Sequence, residues 1–246
     1  MAIHKFVVTS WMGLFTWMTS HITDGGASTS ENTNYFGKIE FASASNVAIK
    51  AYEDPEGTKP IFEFGCLSTS TNLCMKIYKN DISYCEINGS ESYAFYNMVK
   101  ADIWLSDGGV YIRLIGDGSR YALYFIITKT NNGKTAIIAT FSSSTSNTDT
   151  IKTALRTNVS SICRGDSTAE NRKITFNIDE QYQTKLSQFT TYPVYGELSY
   201  TPNAYYCPIS QFYDLIEGHT ISYNGVMYIT NGFWAIKDAP QPSFVS

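Results

Sequence analysis

From Tyr35 onward, the chain consists of short segments rich in β-branched and aromatic residues, which recur about every ten residues. Turn sequences separate them, such as Asn88-Gly89 and Asn131-Asn132-Gly133. Glycine and asparagine adopt the positive φ values that tight hairpin turns require. This pattern predicts a mainly β fold, an antiparallel β-sandwich or barrel with few short helices. The clearest predicted strands are Phe36–Phe41, Val47–Tyr52, Pro60–Phe64, Cys74–Tyr78, Ile82–Ile87, Tyr93–Leu105, Val110–Ile115, Tyr121–Thr128 and Thr135–Phe141.

The sharpest local signal lies near the C-terminus. The segment Ile221–Ile229 carries Asn224-Gly225 at its centre, between two β-prone runs. A second Asn-Gly pair at 231–232 precedes the apolar run Phe233–Ile236. Two-residue Asn-Gly turns between β-prone runs are typical of hairpins. The sequence therefore predicts a three-stranded meander at this end of the chain.

Residues 121–128 are almost wholly apolar. Such a run indicates a strand that is buried on both faces, or one that faces a partner subunit. Core or subunit packing is the corresponding expectation for Tyr111, Tyr121 and Tyr124. Two segments, Thr150–Thr157 and Asp179–Phe189, are predicted as short helices, the second because acidic residues occupy its first turn.

The first 34 residues differ from the rest of the chain. Residues 1–20 are aromatic and methionine-rich, whereas residues 21–34 are polar, rich in Gly, Ser and Thr, and typical of a linker. An apolar segment on a tether either returns to its own domain or inserts into a partner. We predict an N-terminal extended arm that docks to a partner through Phe6, Trp11, Phe15 and Trp17. Polar residues interrupt its apolar run, so no signal peptide is assigned.

These composition changes divide the chain into three predicted regions. Residues 1–34 form the attachment arm and linker, and residues 35–145 form a β-sandwich-like domain. The Ser/Thr-rich break at 142–150 separates this domain from a second β-rich region, residues 146–246, which ends in the meander.

The charge balance excludes some partners. The chain has 18 Lys+Arg against 22 Asp+Glu, a net charge of −4, and no block of basic residues. Broad binding to a nucleic-acid backbone requires such a basic surface, so no nucleic-acid partner is predicted. No apolar stretch reaches the ~18 residues that a membrane span needs. With 16% charged and 15% aromatic residues, the chain is expected to meet other surfaces through neutral contacts.

Motifs that carry chemistry are missing. The three histidines, His4, His21 and His219, are far apart, and the five cysteines include no C-x-x-C pair. Phosphate-binding and nucleophile motifs are absent as well. We therefore predict no catalytic residues, no cofactor and no metal, and interpret the acidic cluster around Pro55 as a solvated turn. Glycoside hydrolysis needs only two carboxylates, so a polysaccharide depolymerase stays open as an alternative.

Tyrosines concentrate between residues 189 and 213, where prolines at 193, 202 and 208 argue against a central strand. A rigid loop or sheet edge is expected instead. Tyrosine offers a broad ring and a hydroxyl to protein or sugar surfaces. We predict a surface-contact strip, which we call the tyrosine strip, made of Tyr192, Tyr195, Tyr200, Tyr205 and Tyr206.

Three segments resemble bacteriophage virion structural proteins of the tail-appendage, baseplate or receptor-binding type. They are Tyr93–Thr128, the Ser/Thr-rich residues 142–150, and the closing ISYNGVMYITNGFWAIKDA at 221–239. The resemblance implies a homo-oligomer, a trimer or ring, that is located in the virion and contacts other virion proteins. It also implies contact with a glycan or protein of the host surface.

The expected function is that of a non-enzymatic structural component of a phage particle, in the tail, baseplate or a surface appendage. It would act by oligomerisation and protein contact, including host attachment. A carbohydrate-binding or adhesin-like module, with the tyrosine strip as its stacking surface, is the main alternative. Deleting residues 1–20 is expected, on this interpretation, to leave a soluble domain that no longer joins the particle.

Overall fold

The structure is a computed structural model of the 246-residue chain. It describes residues 3–23, 34–42, 47–67, 72–79, 82–89, 100–115, 121–145, 148–157, 160–164, 192–195, 200–206, 220–223, 225–230 and 234–239. Within these ranges there are seventeen β-strands and one α-helix. The predicted mainly β fold with few helices is confirmed.

The strands and the helix follow one another along the chain. They are β1 (His4–Val8), α1 (Trp11–His21), β2 (Lys38–Ala42), β3 (Val47–Tyr52), β4 (Pro60–Leu67), β5 (Asn72–Lys79), β6 (Ile82–Gly89), β7 (Lys100–Ser106), β8 (Gly109–Ile115), β9 (Tyr121–Lys129), β10 (Thr135–Thr145), β11 (Thr148–Thr157), β12 (Ser160–Arg164), β13 (Tyr192–Tyr195), β14 (Tyr200–Tyr206), β15 (Thr220–Tyr223), β16 (Val226–Thr230) and β17 (Trp234–Lys237).

These strands form three antiparallel sheets. The central sheet has the order β1-β7-β8-β9-β10-β11-β12. The helix-side sheet is a simple meander, β2-β3-β4-β5-β6, and the C-terminal sheet has the order β13-β14-β17-β16-β15. The last three strands are the predicted C-terminal meander, with Gly225 at φ 77° in the turn between β15 and β16. Because glycine has no Cβ, it adopts this left-handed conformation without strain.

The central and helix-side sheets pack face to face as a sandwich. Phe125 on β9 lies at the middle of the shared core, with its ring centroid 5.2 Å from that of Phe62 and 4.5 Å from that of Phe64. Ile103 on β7 and Ile112 on β8 are fully buried in the same cluster. The core is therefore built from alternate residues of both sheets, as the pleat of a strand requires.

On strands β7–β9, the opposite face of the central sheet is buried too. Trp104 and Tyr111 lie there in an edge-to-face contact with their ring centroids 5.2 Å apart, and Ile126 on β9 is also buried. Strands β14 and β17 of the C-terminal sheet contact this face through β9 and β8. The fold therefore has three β-layers, and the central strand β9 is buried on both faces over residues 125–128. This outcome agrees with the first interpretation of its apolar sequence.

The N-terminal segment is part of the core, and the predicted extended arm is wrong. Strand β1 pairs with β7, and α1 places its buried residues against both sheets of the sandwich. Ser10 caps the helix by accepting a hydrogen bond of 3.0 Å from the backbone N–H of Gly13. The apolar residues at 11, 14 and 18 follow helical spacing and form one buried face. The alternative in which the segment returns to its own domain is the one observed.

Two further predictions differ from the structure. The predicted helix Thr150–Thr157 lies in strand β11, which contains several β-branched residues and pairs with β10 along a ladder. The predicted boundary between residues 145 and 146 falls at the tip of this β10–β11 hairpin, so one sheet continues across it. Polar serines and threonines do not break a ladder, because its hydrogen bonds come from the backbone. The predicted helix Asp179–Phe189 lies outside the described residues.

The helix-side sheet carries alternating charges at paired positions of its first three strands. Glu40 on β2 is paired with Lys50 on β3, and Lys50 is paired with Glu63 on β4. Opposite charges at paired positions stabilise neighbouring strands. This part of the sheet therefore presents a charged, ladder-like surface, in contrast to the apolar core formed by Phe62 and Phe64.

Candidate functional site

The four aromatic residues predicted as a docking arm do not lie on a free surface. Trp11 and Trp17 are each only 6% exposed. Phe6 and Phe15 are partly buried against the same core, and Phe15 stacks on Phe41 with a centroid distance of 5.5 Å. The apolar surface of these four residues is therefore largely covered within their own chain and is not presented on a free arm.

The N-terminal segment presents a sheet edge that another molecule can contact. Strand β1 ends the order of the central sheet, and no strand lies beyond it in the part of the chain that the structure describes. Val7 on this strand is 53% exposed, and so is Met12 at the start of α1. An edge strand presents backbone N–H and C=O groups to which a strand of another chain can pair. The β1 edge is therefore a candidate interaction surface.

The tyrosine strip forms a two-stranded ladder at one edge of the C-terminal sheet. Tyr192 pairs with Tyr206, and Tyr195 pairs with Tyr200, across strands β13 and β14. Strand β13 is an edge strand, which is where its proline is tolerated. Pairing between β14 and β17 covers only Ala204–Tyr206, so the proline of β14 lies outside that pairing. The backbone thus brings four tyrosines into two cross-strand pairs.

A cleft of about 220 Å³ opens where the β9–β10 turn meets the segments that flank strands β2 and β3. We call it the lysine cleft. Its lining includes Tyr35, Glu53, Lys129, Lys134 and Thr135. The Nζ atom of Lys129 donates a hydrogen bond of 3.1 Å to Oγ1 of Thr135 and lies 5.4 Å from the ring centroid of Tyr35. The Thr135 hydroxyl in turn donates to the backbone carbonyl of Tyr35.

The two lysines of the cleft have different electrostatic surroundings. Nζ of Lys134 forms an ion pair of 2.6 Å with Oε1 of Glu53. Burial lowers the pKa of the Lys129 ammonium to about 8, an effect that Glu53 opposes and that the positive charge of Lys134 reinforces. The cleft therefore holds an ammonium whose charge is incompletely compensated by its described neighbours.

The rim of the cleft is fixed by tight turns. On one side, Thr130 accepts a hydrogen bond from the backbone N–H of Lys134 at 3.1 Å. On the other side, Gly37 approaches the Asp54–Pro55 peptide so closely that an added Cβ would lie 2.4 Å from the carbonyl carbon of Asp54. Only glycine, which has no side chain, therefore fits at position 37 without moving the backbone. The turn that contains Glu53, Asp54 and Glu56 is solvated, as the sequence predicts.

The Asp54 carboxylate organises this turn. It accepts hydrogen bonds from the backbone N–H of Thr58 at 2.9 Å and of Lys59 at 2.5 Å, and from the Thr58 hydroxyl at 3.0 Å. Desolvation raises the pKa of Asp54, but these hydrogen bonds outweigh it and lower the pKa from 3.8 to about 2. The folded turn therefore stabilises the charged form of the Asp54 carboxylate.

This shift predicts a pH dependence. Because the folded pKa lies below the unfolded value, the stabilisation of the turn is present above pH 3.8 and is lost as the pH falls through about 2. In NMR titrations, the amide shifts of Thr58 and Lys59 are expected to change together with a midpoint near 2. Asp54→Asn should remove this transition, whereas Glu56→Gln, in the same turn, should keep it. A midpoint near 4 in the unchanged protein would contradict the assignment.

Other kinds of site are not found among the described residues. They contain no group of three or more His, Cys, Asp or Glu side chains placed to hold a metal ion. In the same ranges, no helix has the length and apolar character needed to cross a membrane.

Comparison of the chain with protein-family models, with curated proteins and with solved structures gave no match. Any functional inference for this chain therefore rests on its sequence and on the geometry of the described residues.

The lysine cleft was not identified from the sequence. Its residues come from three separate parts of the chain, and only the sandwich brings Tyr35 and Lys129 together. One signal was available: Lys129 directly follows the apolar run 121–128, at the end of a strand buried on both faces. A lysine in that position must either reach water or be desolvated.

Proposed function

We propose that this chain is a non-enzymatic structural component of a bacteriophage particle, in the tail, baseplate or a surface appendage. It acts by assembling with further copies of itself, as a trimer or ring, and by contacting other virion proteins. The observation that carries the proposal is the open edge of the central sheet at β1, with Val7 53% exposed. The resemblance of three segments to virion proteins supports the same function.

The β1 edge suits assembly because β1 is already fixed by its pairing with β7 and by its packing on the core. Strand β1 is paired with β7 along its whole length, from His4 opposite Leu105 to Val8 opposite Ala101. Its inward residues pack on the core through Phe6 and Val8. A partner strand would therefore meet a preformed template, and little ordering entropy would oppose the pairing.

The mass of the purified native assembly tests this proposal. We expect a defined multiple of the 27.5 kDa chain by light scattering and native mass spectrometry. Val7→Lys places a charge on the exposed edge and is expected to shift the population toward single chains. Thr16→Lys, on the exposed side of α1, is the matched control and should keep the assembly. A wild-type chain that is monomeric at all concentrations tested would contradict the proposal.

The register of the tyrosine strip favours a second candidate function, binding of a host-surface carbohydrate. Two tyrosine pairs lie at the two ends of the β13–β14 ladder, on either side of its register shift between Pro193 and Val194. Aromatic rings in such positions can stack against sugar faces. A glycan array is the test: binding that is lost in Tyr195→Ala and retained in Tyr223→Ala, on strand β15, would support it. No binding to any glycan would leave the assembly function.

A further inference from the structure

The lysine cleft contains an ammonium group held in a fixed position. Lys129 lies at the end of β9, and its Nζ is oriented by Oγ1 of Thr135 and by the ring of Tyr35. Because the Thr135 hydroxyl donates its own hydrogen to the Tyr35 carbonyl, its oxygen is an acceptor for the ammonium. An ammonium has three N–H donors, and the hydrogen bond to Thr135 uses one of them. The other N–H groups can therefore donate to a bound ligand.

The charge balance of the cleft favours an added anion. Among the described residues, Glu53 is the carboxylate that lines the cleft, and its Oε1 is bound to Lys134 at 2.6 Å. No ion pair joins Lys129 to a carboxylate of the described chain within 4 Å. Two ammonium groups thus share one carboxylate. Desolvation, together with Lys134, lowers the pKa of Lys129 to about 8, and a negative charge beside it would reverse that effect.

The size of the cleft limits what can enter. Its volume is about 220 Å³, whereas one liquid water occupies about 30 Å³. Pockets for drug-sized ligands start at about 300 Å³. The space is therefore sufficient for a small anion with its hydration water and too small for an extended polymer segment.

We propose that the lysine cleft binds one small oxyanion, a carboxylate or a phosphate, through the Nζ atom of Lys129. The Thr135 hydroxyl and the Tyr35 ring position this atom, and Lys134 adds long-range attraction. Glu53 acts as the competing negative charge. This inference goes beyond the proposed function and does not depend on it, because all the residues named for the site belong to one chain.

Protection of Lys129 from acetylation tests the proposal in the wild-type protein. The folded chain is treated with a water-soluble acetylating reagent at pH 8, in separate titrations with acetate and with inorganic phosphate at constant ionic strength. Mass spectrometry then measures acetylation of Lys129 and of the exposed Lys59. We expect saturable protection of Lys129 alone, by one or both anions. Equal effects on both lysines, or none on Lys129, would overturn the proposal.

The two titrations distinguish the source of the oxyanion. Protection by acetate alone identifies a carboxylate site, and protection by phosphate alone identifies a phosphate site. Protection by both identifies a site that selects charge and size.

Variants give an independent readout that a merely structural role would not produce. Glu53→Gln removes the competing charge and is expected to tighten anion binding at least about threefold. Isothermal titration calorimetry with acetate and with phosphate measures binding in the variants: Lys129→Met should abolish it, and Lys59→Met, the matched control, should retain it. Thermal unfolding verifies that each variant is folded. Weaker binding in Glu53→Gln, with an intact fold, would contradict the assigned role of this carboxylate.

Discussion

Removal of residues 1–23 is expected to leave a chain that does not fold. The deleted segment supplies β1 and the five buried side chains Trp11, Leu14, Trp17, Met18 and Ile22. Burying a large apolar side chain contributes about 1.5–3 kcal/mol, so the five together contribute about 7–15 kcal/mol. Domains of this kind are stable by only about 5–15 kcal/mol in total. The N-terminal segment therefore contributes as much as the whole margin of stability.

Two methionines on the same helix provide a matched test of this point. Met18 is fully buried, whereas Met12 is 53% exposed. Met18→Ala is expected to lower the free energy of unfolding by about 2–5 kcal/mol, and Met12→Ala by less than about 0.5 kcal/mol. Chemical denaturation followed by tryptophan fluorescence measures both. If residues 1–20 formed a free arm, neither substitution would change the unfolding midpoint, and the truncated chain would stay soluble and folded.

Gly108→Ala is expected to have the second largest effect on stability, because the added methyl group would push two layers of the fold apart. A Cβ added at Gly108 would lie 1.8 Å from the carbonyl oxygen of Lys237 on β17. The obstacle is backbone, so no side-chain rotation can relieve it. Overpacking of this kind costs about 1–3 kcal/mol and occasionally more. We expect the C-terminal sheet to lose its contact with the β7–β8 turn.

Hydrogen exchange shows which layer responds. In Gly108→Ala, the amides of β14 and β17 should exchange faster, while those of β3 and β4 in the helix-side sheet keep their protection. Asp107→Ala in the same turn is the control, since it adds no atom toward Lys237 and retains the backbone. Unchanged exchange in β17 of Gly108→Ala would show that the two layers do not meet as described.

The strands were predictable because their signals are local. Val47–Tyr52 was predicted with the bounds observed for β3, and the Asn-Gly turn located the β15–β16 hairpin. A β-branched or aromatic run next to a residue that accepts positive φ specifies a hairpin wherever it lies in the chain. At β11 the prediction is wrong: the sequence predicts a helix over Thr150–Thr157, whereas the structure has a strand there. Residues 150–157 show no strict apolar–polar alternation, so the pairing with β10 and β12 is what identifies them as a strand.

The position of the N-terminal segment was not predictable from its own residues. An aromatic stretch followed by a polar linker describes an arm and a returning helix equally well. Packing against the sandwich distinguishes the two. Trp11 contacts Phe64 on β4, and Phe15 contacts Phe41 on β2. The tyrosine strip illustrates the same limit, since the sequence predicted an edge and the register alone paired Tyr192 with Tyr206.

By itself, the sequence determined the class of the fold, most of its strands and the terminal meander, because β-propensity and turn geometry depend on neighbours along the chain. Tertiary structure decided which apolar surfaces are covered and which polar groups meet. The N-terminal aromatic residues became core, and Lys129, Tyr35 and Thr135 became one cleft. The physical reason is that burial and charge compensation depend on distances in space, which are set only when the three layers pack.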